Sequence, residues 1–283
     1  MKAAAIVIET VRELARQKVL WILAALITLT LLVFALLLRT QLADGLLGSM
    51  SVVEPGGPPG GRLLQAEGIV RGMQLAVALF LYPVGILLSL AATAGLVPGM
   101  LEKGTIDLLL SRPIGRPILL LSRCLGGVLV AAVHLLYLVI GLGAILALKT
   151  GVFNSGFVAS GLLMALYFAC LTGFMALCGV LWRSTPVTML LGAAAFFGNL
   201  VVRLPHEYGG WQQIVPGAPV RFLMRAVVEA LYYALPRTWD FASSATALIL
   251  GRGGVAWDAV AATLLSGGAA LGVAVFLFRR ADF

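Results

Sequence analysis

Charged residues are scarce in this chain. Only 11% of its 283 residues are Asp, Glu, Lys or Arg, whereas 61% are hydrophobic. In a soluble globular domain about a quarter of the residues are charged, so the composition excludes that class and favours a protein of the lipid bilayer. The net charge of +8 comes without a basic run and with few aromatic residues among the basic ones, which excludes nucleic acid as a partner. We therefore expect this charge to set membrane topology and to contact anionic lipid.

The residues required for several kinds of chemistry are also missing. No lysine follows a glycine, so the chain lacks a phosphate-binding P-loop, and His206-Glu207 lacks the second histidine of a zinc-protease motif. The apolar runs contain almost no acidic residue for a proton-coupled carrier or a magnesium-dependent prenyl transferase. Cys124, Cys170 and Cys178 lie in apolar runs without C-x-x-C spacing, which predicts packing residues. We expect no metal site, no cofactor and no enzymatic activity in the chain itself.

Long apolar runs predict an all-α, polytopic integral membrane protein that forms a single transmembrane domain. About 20 apolar residues cross the hydrocarbon core of a bilayer. The chain has six such runs, at about 19–38, 73–97, 118–148, 157–182, 186–202 and 256–278. Residues 1–18 mix apolar and charged side chains, which is typical of an amphipathic helix on the inner membrane surface. Residues 39–72 are interpreted as a linker and residues 203–255 as a polar outer loop.

The distribution of basic residues predicts the orientation of the chain. Short cytoplasmic loops are rich in Lys and Arg. With the amino terminus inside, the inner segments contain Lys2, Arg12, Arg16, Lys18, Lys103, Arg112, Arg116, Arg123, Arg183, Arg279 and Arg280. The outer segments are longer, and their basic residues are diluted among Asp and Glu. We therefore expect a multi-pass protein of the cell membrane, or inner membrane, with both termini in the cytoplasm.

The segment from Pro98 to Pro117, here called the loop segment, is the most distinctive polar interval. We expect Pro98-Gly99 to stop the preceding helix and Thr105 to cap a new short helix that ends before Pro113. Ile106, Leu109 and Leu110 then form a small apolar face, because they lie at positions i, i+3 and i+4. Such a helix is suited to docking into a partner. A solvated turn between two spans is the alternative interpretation.

The loop segment resembles a motif of a known transporter family. Its residues Glu102-x-Gly104-Thr105-Ile106-Asp107-x-Leu109-Leu110-Ser111-x-Pro113-x-x-Arg116 are similar to the cytoplasmic loop of type 2 ABC transporter permeases. The similarity is greatest to the branch that includes the permease for nitrous-oxide-reductase maturation. The amphipathic amino-terminal helix, called an elbow helix in that family, fits the same resemblance. So do the six-span layout and the ending Phe278-Arg279-Arg280-Ala281-Asp282.

The resemblance implies a permease subunit that moves a substrate, in the export direction, with ATP hydrolysed by a separate ATPase subunit. That subunit would bind ATP and magnesium, and a second permease copy or a paralogue would complete a dimer. The loop segment would be the coupling helix. Its implied contacts with the ATPase subunit are Glu102, Gly104, Thr105, Ile106, Asp107, Leu109, Leu110, Arg112, Pro113 and Arg116.

Two further sets of residues are candidates for the transport pathway. His134 is the ionisable residue deep within a predicted span, and a neutral imidazole bonded to a backbone carbonyl of a neighbouring helix is the alternative to a pathway role. Arg221, Arg225 and Glu229 recur every four residues in a predicted helix over 219–235. That helix is either an outer gate, as the resemblance favours, or a lid that only packs over the spans.

Two other functions remain open at this point. One is an intramembrane enzyme, which needs a polar catalytic cluster, and the other is a membrane scaffold of a maturation complex without transport. Gly268-x-x-x-Gly272 permits close helix packing and a dimer face. The pattern is common in membrane spans.

Overall fold

The computed structural model describes residues 2–37, 59–102, 115–208 and 218–280. Within these ranges the backbone is almost entirely α-helical and contains no strand. The helices are α1 (Lys2–Ala15), α2 (Lys18–Leu37), α3 (Pro59–Thr93), α4 (Leu96–Met100), α5 (Arg116–Thr150), α6 (Ser155–Trp182), α7 (Thr185–Tyr208), α8 (Ala218–Ala234), α9 (Thr238–Leu250) and α10 (Trp257–Arg280).

The all-α prediction with six spans is confirmed. Among the described residues, six stretches are long and apolar enough to cross a membrane. They are Lys18–Leu37, Glu67–Met100, Arg116–Thr150, Ser155–Trp182, Thr185–Leu204 and Trp257–Arg280. Length and composition therefore define a multi-pass membrane protein.

The second span differs from its predicted bounds at both ends. Helix α3 begins at Pro59, inside the interval predicted as a linker, and ends at Thr93. After two residues the short helix α4 follows, and Pro98 is buried within it. The prediction that Pro98-Gly99 stops the helix is therefore wrong. Pro98 is the third residue of α4, where a backbone amide has no intrahelical partner, so its missing N–H costs no hydrogen bond.

The interval 203–255 is largely helical, which corrects its interpretation as a loop. Helix α7 continues to Tyr208, and the predicted helix over 219–235 is present as α8. Helix α9 was not predicted. At 13 residues it is too short to span, but Phe241, Ala245 and Ile249 are buried on one face at a spacing of four. That spacing is the signal that sequence reasoning overlooked.

Helix α6 lies at the centre of the bundle. It packs against α5, α7, α9 and α10, and Phe157, Tyr167 and Phe168 on it are fully buried. One close approach is to α10, where a Cβ added at Gly173 would lie 2.3 Å from the carbonyl oxygen of Gly267. Glycine at both positions is what permits this contact.

The two glycines of the Gly268-x-x-x-Gly272 pattern face a different side of α10 from the neighbouring Gly267. A Cβ added at Gly268 or Gly272 would meet no atom within 4 Å. These two glycines therefore take no part in the close contact between α6 and α10, and they lie on an open side of α10. Their use as a dimer face stays a prediction.

Helix α1 packs along α5. Its residues Ile6, Thr10 and Leu14 are almost completely buried. A Cβ added at Gly126 of α5 would come within 2.7 Å of the Thr10 Cβ, so the two helices approach closely there. Helix α1 therefore belongs to the packed bundle, with its apolar face turned inward. Its position on a membrane surface, as an elbow helix, stays a prediction.

Candidate functional site

The described parts of the loop segment begin and end in one packed cluster. This cluster, here called the loop-end cluster, joins α1, α4, α5, α6 and α10. It consists of Ile6, Val97, Met100, Leu101, Leu119, Leu120, Cys124, Ala176, Val180, Ala274 and Phe278. Leu120 and Phe278 have no exposed surface. The residues that flank the loop segment are therefore packed together with side chains of five helices.

Two predicted contact residues of the loop segment are described by the structure. Glu102 lies two residues after the end of α4 and is exposed. Arg116 is the first residue of α5 and is half-buried, and its guanidinium donates a hydrogen bond of 3.5 Å to the carbonyl oxygen of Arg279. This bond connects the start of α5 to the last turn of α10, where carbonyl groups lack intrahelical partners.

The remaining predicted contact residues lie outside the described residues. They are Gly104, Thr105, Ile106, Asp107, Leu109, Leu110, Arg112 and Pro113. Their helical arrangement and their docking role stay predictions. The structure describes only the framework to which their segment is attached.

Charge is distributed unequally between the two ends of the bundle. Among the described side chains at the end with the loop segment, basic residues clearly outnumber acidic ones. They are Arg12, Arg16, Lys18, Arg116, Arg123, Arg183, Arg279 and Arg280, against Glu9, Glu13 and Glu102. At the opposite end the two signs are closer to balance, with Arg71, Lys149, Arg203, Arg221, Arg225, Arg237 and Arg252 against Glu67, Glu207, Glu229, Asp240 and Asp258.

An ion pair between buried Arg123 and exposed Glu13 holds α1 against α5. The Arg123 guanidinium contacts the Glu13 carboxylate, and the Arg123 side chain is only 9% exposed whereas that of Glu13 is 51% exposed. The Arg123 Nε has no hydrogen-bond partner in the described part of the chain. Glu13 is therefore the charge that compensates a largely desolvated arginine. The sequence analysis treated Arg123 only as an inner basic residue and missed this pair.

His134 is half-buried and bonded within its own helix. Its Nδ1 lies 2.8 Å from the carbonyl oxygen of Val130. A carbonyl oxygen only accepts, so Nδ1 carries a proton. The alternative to a pathway role had placed the bonded carbonyl on a neighbouring helix, whereas Val130 belongs to the same helix as His134. The pathway role of His134 stays a prediction.

The predicted gate residues lie on α8, which packs mainly against α7. Arg221 and Arg225 are exposed, and Arg225 forms a salt bridge of 2.9 Å with Glu229. Many apolar side chains of α8 are exposed as well, among them Phe222 and Leu223. The three charged residues lie on α8, and their gating role stays a prediction. This helix, the turn at 235–237 and α9 are together called the hairpin here, although each of the two helices packs against other helices more than against its partner.

The tip of this hairpin reaches the middle of the bundle. Thr238 opens α9, and its hydroxyl donates to the carbonyl oxygen of Phe196 at 2.8 Å. Since the Thr238 proton is used there, the Tyr167 hydroxyl donates to Thr238 Oγ1 at 2.6 Å. Tyr167 and Phe196 lie near the midpoints of α6 and α7. The backbone N–H of Arg237 donates to the hydroxyl of Thr263 on α10 at 3.2 Å, so the tip contacts three spans.

A network of charges and rings surrounds this tip. The Arg237 side chain is 12% exposed, lies 3.8 Å from an Asp258 oxygen, and stacks over the Tyr232 and Tyr233 rings at 4.8 and 5.3 Å. Cation–π contacts of this kind stabilise a partly desolvated arginine. The ring of His206 of α7 also stacks on the Tyr232 ring, with 3.9 Å between the two centroids.

A second arginine connects α7 to α9. Arg203 contacts Glu207 at 2.6 Å and Asp240 at 3.3 Å, and its guanidinium lies 5.2 Å from the Trp239 ring centre. The hydrogen bond from Arg203 holds the pKa of the Glu207 carboxyl below its ordinary value. These contacts fix the first turn of α9 to α7.

An apolar cavity of about 100 Å³ lies beside the hairpin, between α3, α6, α7 and α9. Its walls include Tyr82 and Pro83 of α3, Tyr167 of α6 and Thr246 of α9. The Tyr82 hydroxyl is 2.7 Å from Ser160 Oγ, which itself donates to a backbone carbonyl, so Tyr82 is the donor. The cavity is therefore lined by carbon with a few hydroxyl oxygens. It is suited to an apolar molecule and not to an ion.

Two comparisons with known proteins found no match. No protein-family model matches the chain, and no curated protein matches it either.

Proposed function

We propose that the chain is the membrane-spanning permease subunit of an ABC transporter. It pairs with a second permease copy or a paralogue and exports a substrate with ATP hydrolysed by a separate ATPase subunit. The proposal rests first on the motif of the loop segment. The observation that supports it best is the loop-end cluster, which ties both ends of that segment to α1, α4, α5, α6 and α10.

The charge distribution supports a cytoplasmic position for the loop segment. Described basic residues outnumber acidic ones at that end of the bundle, as the positive-inside rule requires of a cytoplasmic face. Helix α1 and the last turn of α10 lie at the same end, because Ile6 and Phe278 share the loop-end cluster. Both termini then face the cytoplasm together with the docking site for the ATPase subunit.

The proposed mechanism is mechanical. Closure of the ATPase pair on ATP displaces the helix over residues 105–112, and Leu101 and Leu119 carry this displacement into the packed cluster. Packed interfaces respond by switching between discrete arrangements, so the movement reaches the spans. The hairpin of α8 and α9 acts as the outer gate, and its tip at Thr238 moves relative to Tyr167 and opens the adjacent cavity.

Co-purification with the ATPase subunit tests this proposal. Leu109→Asp alters no span, so the permease should insert normally. A carboxylate buried in an apolar groove costs several kcal/mol, which lowers affinity on the order of a hundredfold or more. Arg116→Ala should weaken binding less, because a partly exposed charge contributes roughly 0–1 kcal/mol. The unmodified complex should hydrolyse ATP, whereas the isolated permease should not.

Three outcomes would contradict the proposal. Hydrolysis by the pure permease would show that the chain has its own nucleotide site. Full binding by Leu109→Asp would show that the ATPase subunit docks on another face of the loop segment, or that it does not dock on this segment at all. Stable binding with no substrate-stimulated hydrolysis would favour the scaffold function over transport.

A further inference from the structure

An apolar groove lies between α1, α2 and α5 at the end of the bundle that holds the loop segment. Its volume is about 280 Å³, and its lining is Val11, Ala15, Leu20, Trp21, Ala24, Leu129, Val130, Val133 and His134. Trp21 is 67% exposed, and its indole N–H donates to the carbonyl oxygen of Ala15 at 2.9 Å. This bond fixes the ring at the junction between α1 and α2, beside the mouth of the groove.

Three basic residues are adjacent in the sequence to residues that line the groove. Arg12 of α1 follows the lining residue Val11, Arg16 follows Ala15 in the turn after α1, and Lys18 precedes Trp21 by one helical turn in α2. All three basic side chains are exposed, and among the described residues none of them forms an ion pair. The neighbouring Glu13 is already paired with Arg123.

The groove continues inward as a hydrocarbon surface. Along α2, Ala24 lies six residues beyond Lys18, a distance of about 9 Å at 1.5 Å per residue. Leu129 and Val133 of α5 line the same wall one turn apart, and His134 has its Nδ1 proton engaged with a backbone carbonyl. The groove thus has basic residues at one end, then a tryptophan, then an apolar interior. These match in order the phosphate, the glycerol region and the acyl chain of an anionic phospholipid.

We propose that this groove binds one anionic phospholipid of the cytoplasmic leaflet. The headgroup lies at Arg16 and Lys18, with Arg12 nearby, and an acyl chain lies along Ala24 and Val133. Zwitterionic lipid lacks the net charge that the basic residues recognise. The site goes beyond the proposed transport function and does not depend on the ATPase subunit.

Quenching of tryptophan fluorescence by brominated lipid tests this site. The chain is reconstituted in two kinds of phosphatidylcholine vesicle. One contains a small fraction of brominated phosphatidylglycerol, and the other contains the same fraction of brominated phosphatidylcholine. The contribution of Trp21 is obtained by subtracting the signal of Trp21→Phe. Brominated phosphatidylglycerol should quench this contribution more than brominated phosphatidylcholine does. Replacing both Arg16 and Lys18 by Gln should lower the preference for phosphatidylglycerol over phosphatidylcholine. Each charge removed should lower it by about fivefold, which is equivalent to about 1 kcal/mol.

Two control variants separate the groove from general surface charge. Changing Arg279 and Arg280 to Gln removes the same net charge at the same end of the bundle, and should leave the preference intact. Ala24→Phe fills the groove and should reduce quenching of Trp21 by both brominated lipids. The proposal is overturned by equal quenching from the two lipids or by an unchanged preference in the Arg16 and Lys18 variant. An equal loss in the control variant, or unchanged quenching in Ala24→Phe, would also overturn it.

Discussion

Removing the charge of Glu13 should destabilise the bundle through Arg123. Breaking a buried ion pair by removing one partner costs about 3–5 kcal/mol, because the other charge remains desolvated. Arg123 is 9% exposed, but Glu13 is 51% exposed, so water already screens part of the interaction. We therefore expect Glu13→Gln to lower the free energy of unfolding by about 1–3 kcal/mol. The assay is unfolding of the purified chain in mixed micelles with a denaturing detergent, followed by far-ultraviolet circular dichroism.

The pair offers two internal controls. Arg123→Met leaves Glu13 hydrated and fills the arginine site with carbon, so its cost should stay below about 1 kcal/mol, and adding it to Glu13→Gln should restore stability. Glu229→Gln removes one partner of an exposed pair, since Arg225 is 67% exposed, and should change stability by less than about 1 kcal/mol. A Glu13→Gln cost no larger than that of Glu229→Gln would refute the assignment of Arg123 as a buried charge held by α1.

Two further predictions concern topology and packing. Single cysteines at Ser111 and Ser184 should be shielded from an impermeant reagent added outside cells, whereas one at Gly57 should react; external labelling at Ser111 would reverse the orientation. Gly173→Val should lower the free energy of unfolding by about 1–3 kcal/mol, because its Cβ would lie 2.3 Å from a carbonyl oxygen of α10. Gly268→Val meets open space and should leave that free energy unchanged. Equal unfolding free energies for these two valine variants would show that α6 and α10 do not approach as described.

Apolar runs were sufficient to predict the six spans, because each helix must satisfy its own backbone hydrogen bonds in lipid. The predicted spans 186–202 and 256–278 agree within two positions with the apolar stretches Thr185–Leu204 and Trp257–Arg280. Within 203–255 the same reasoning found α8 but failed for α9. Helix α9 is too short to span a membrane. Other helices cover only one of its faces, so its sequence mixes polar and apolar residues in the way that a loop does.

What the sequence alone determined is therefore local: the apolar length of each span, the bias of basic residues toward one end, and the motif of the loop segment. Pairings distant in the chain were decided only by the tertiary structure. Glu13 and Arg123 are separated by 110 positions, and Tyr167 and Thr238 by 71. Neither pair has a spacing signature, because such contacts depend on how whole helices pack against one another. The buried arginine, the hairpin tip and the lipid groove all arise from those helix contacts.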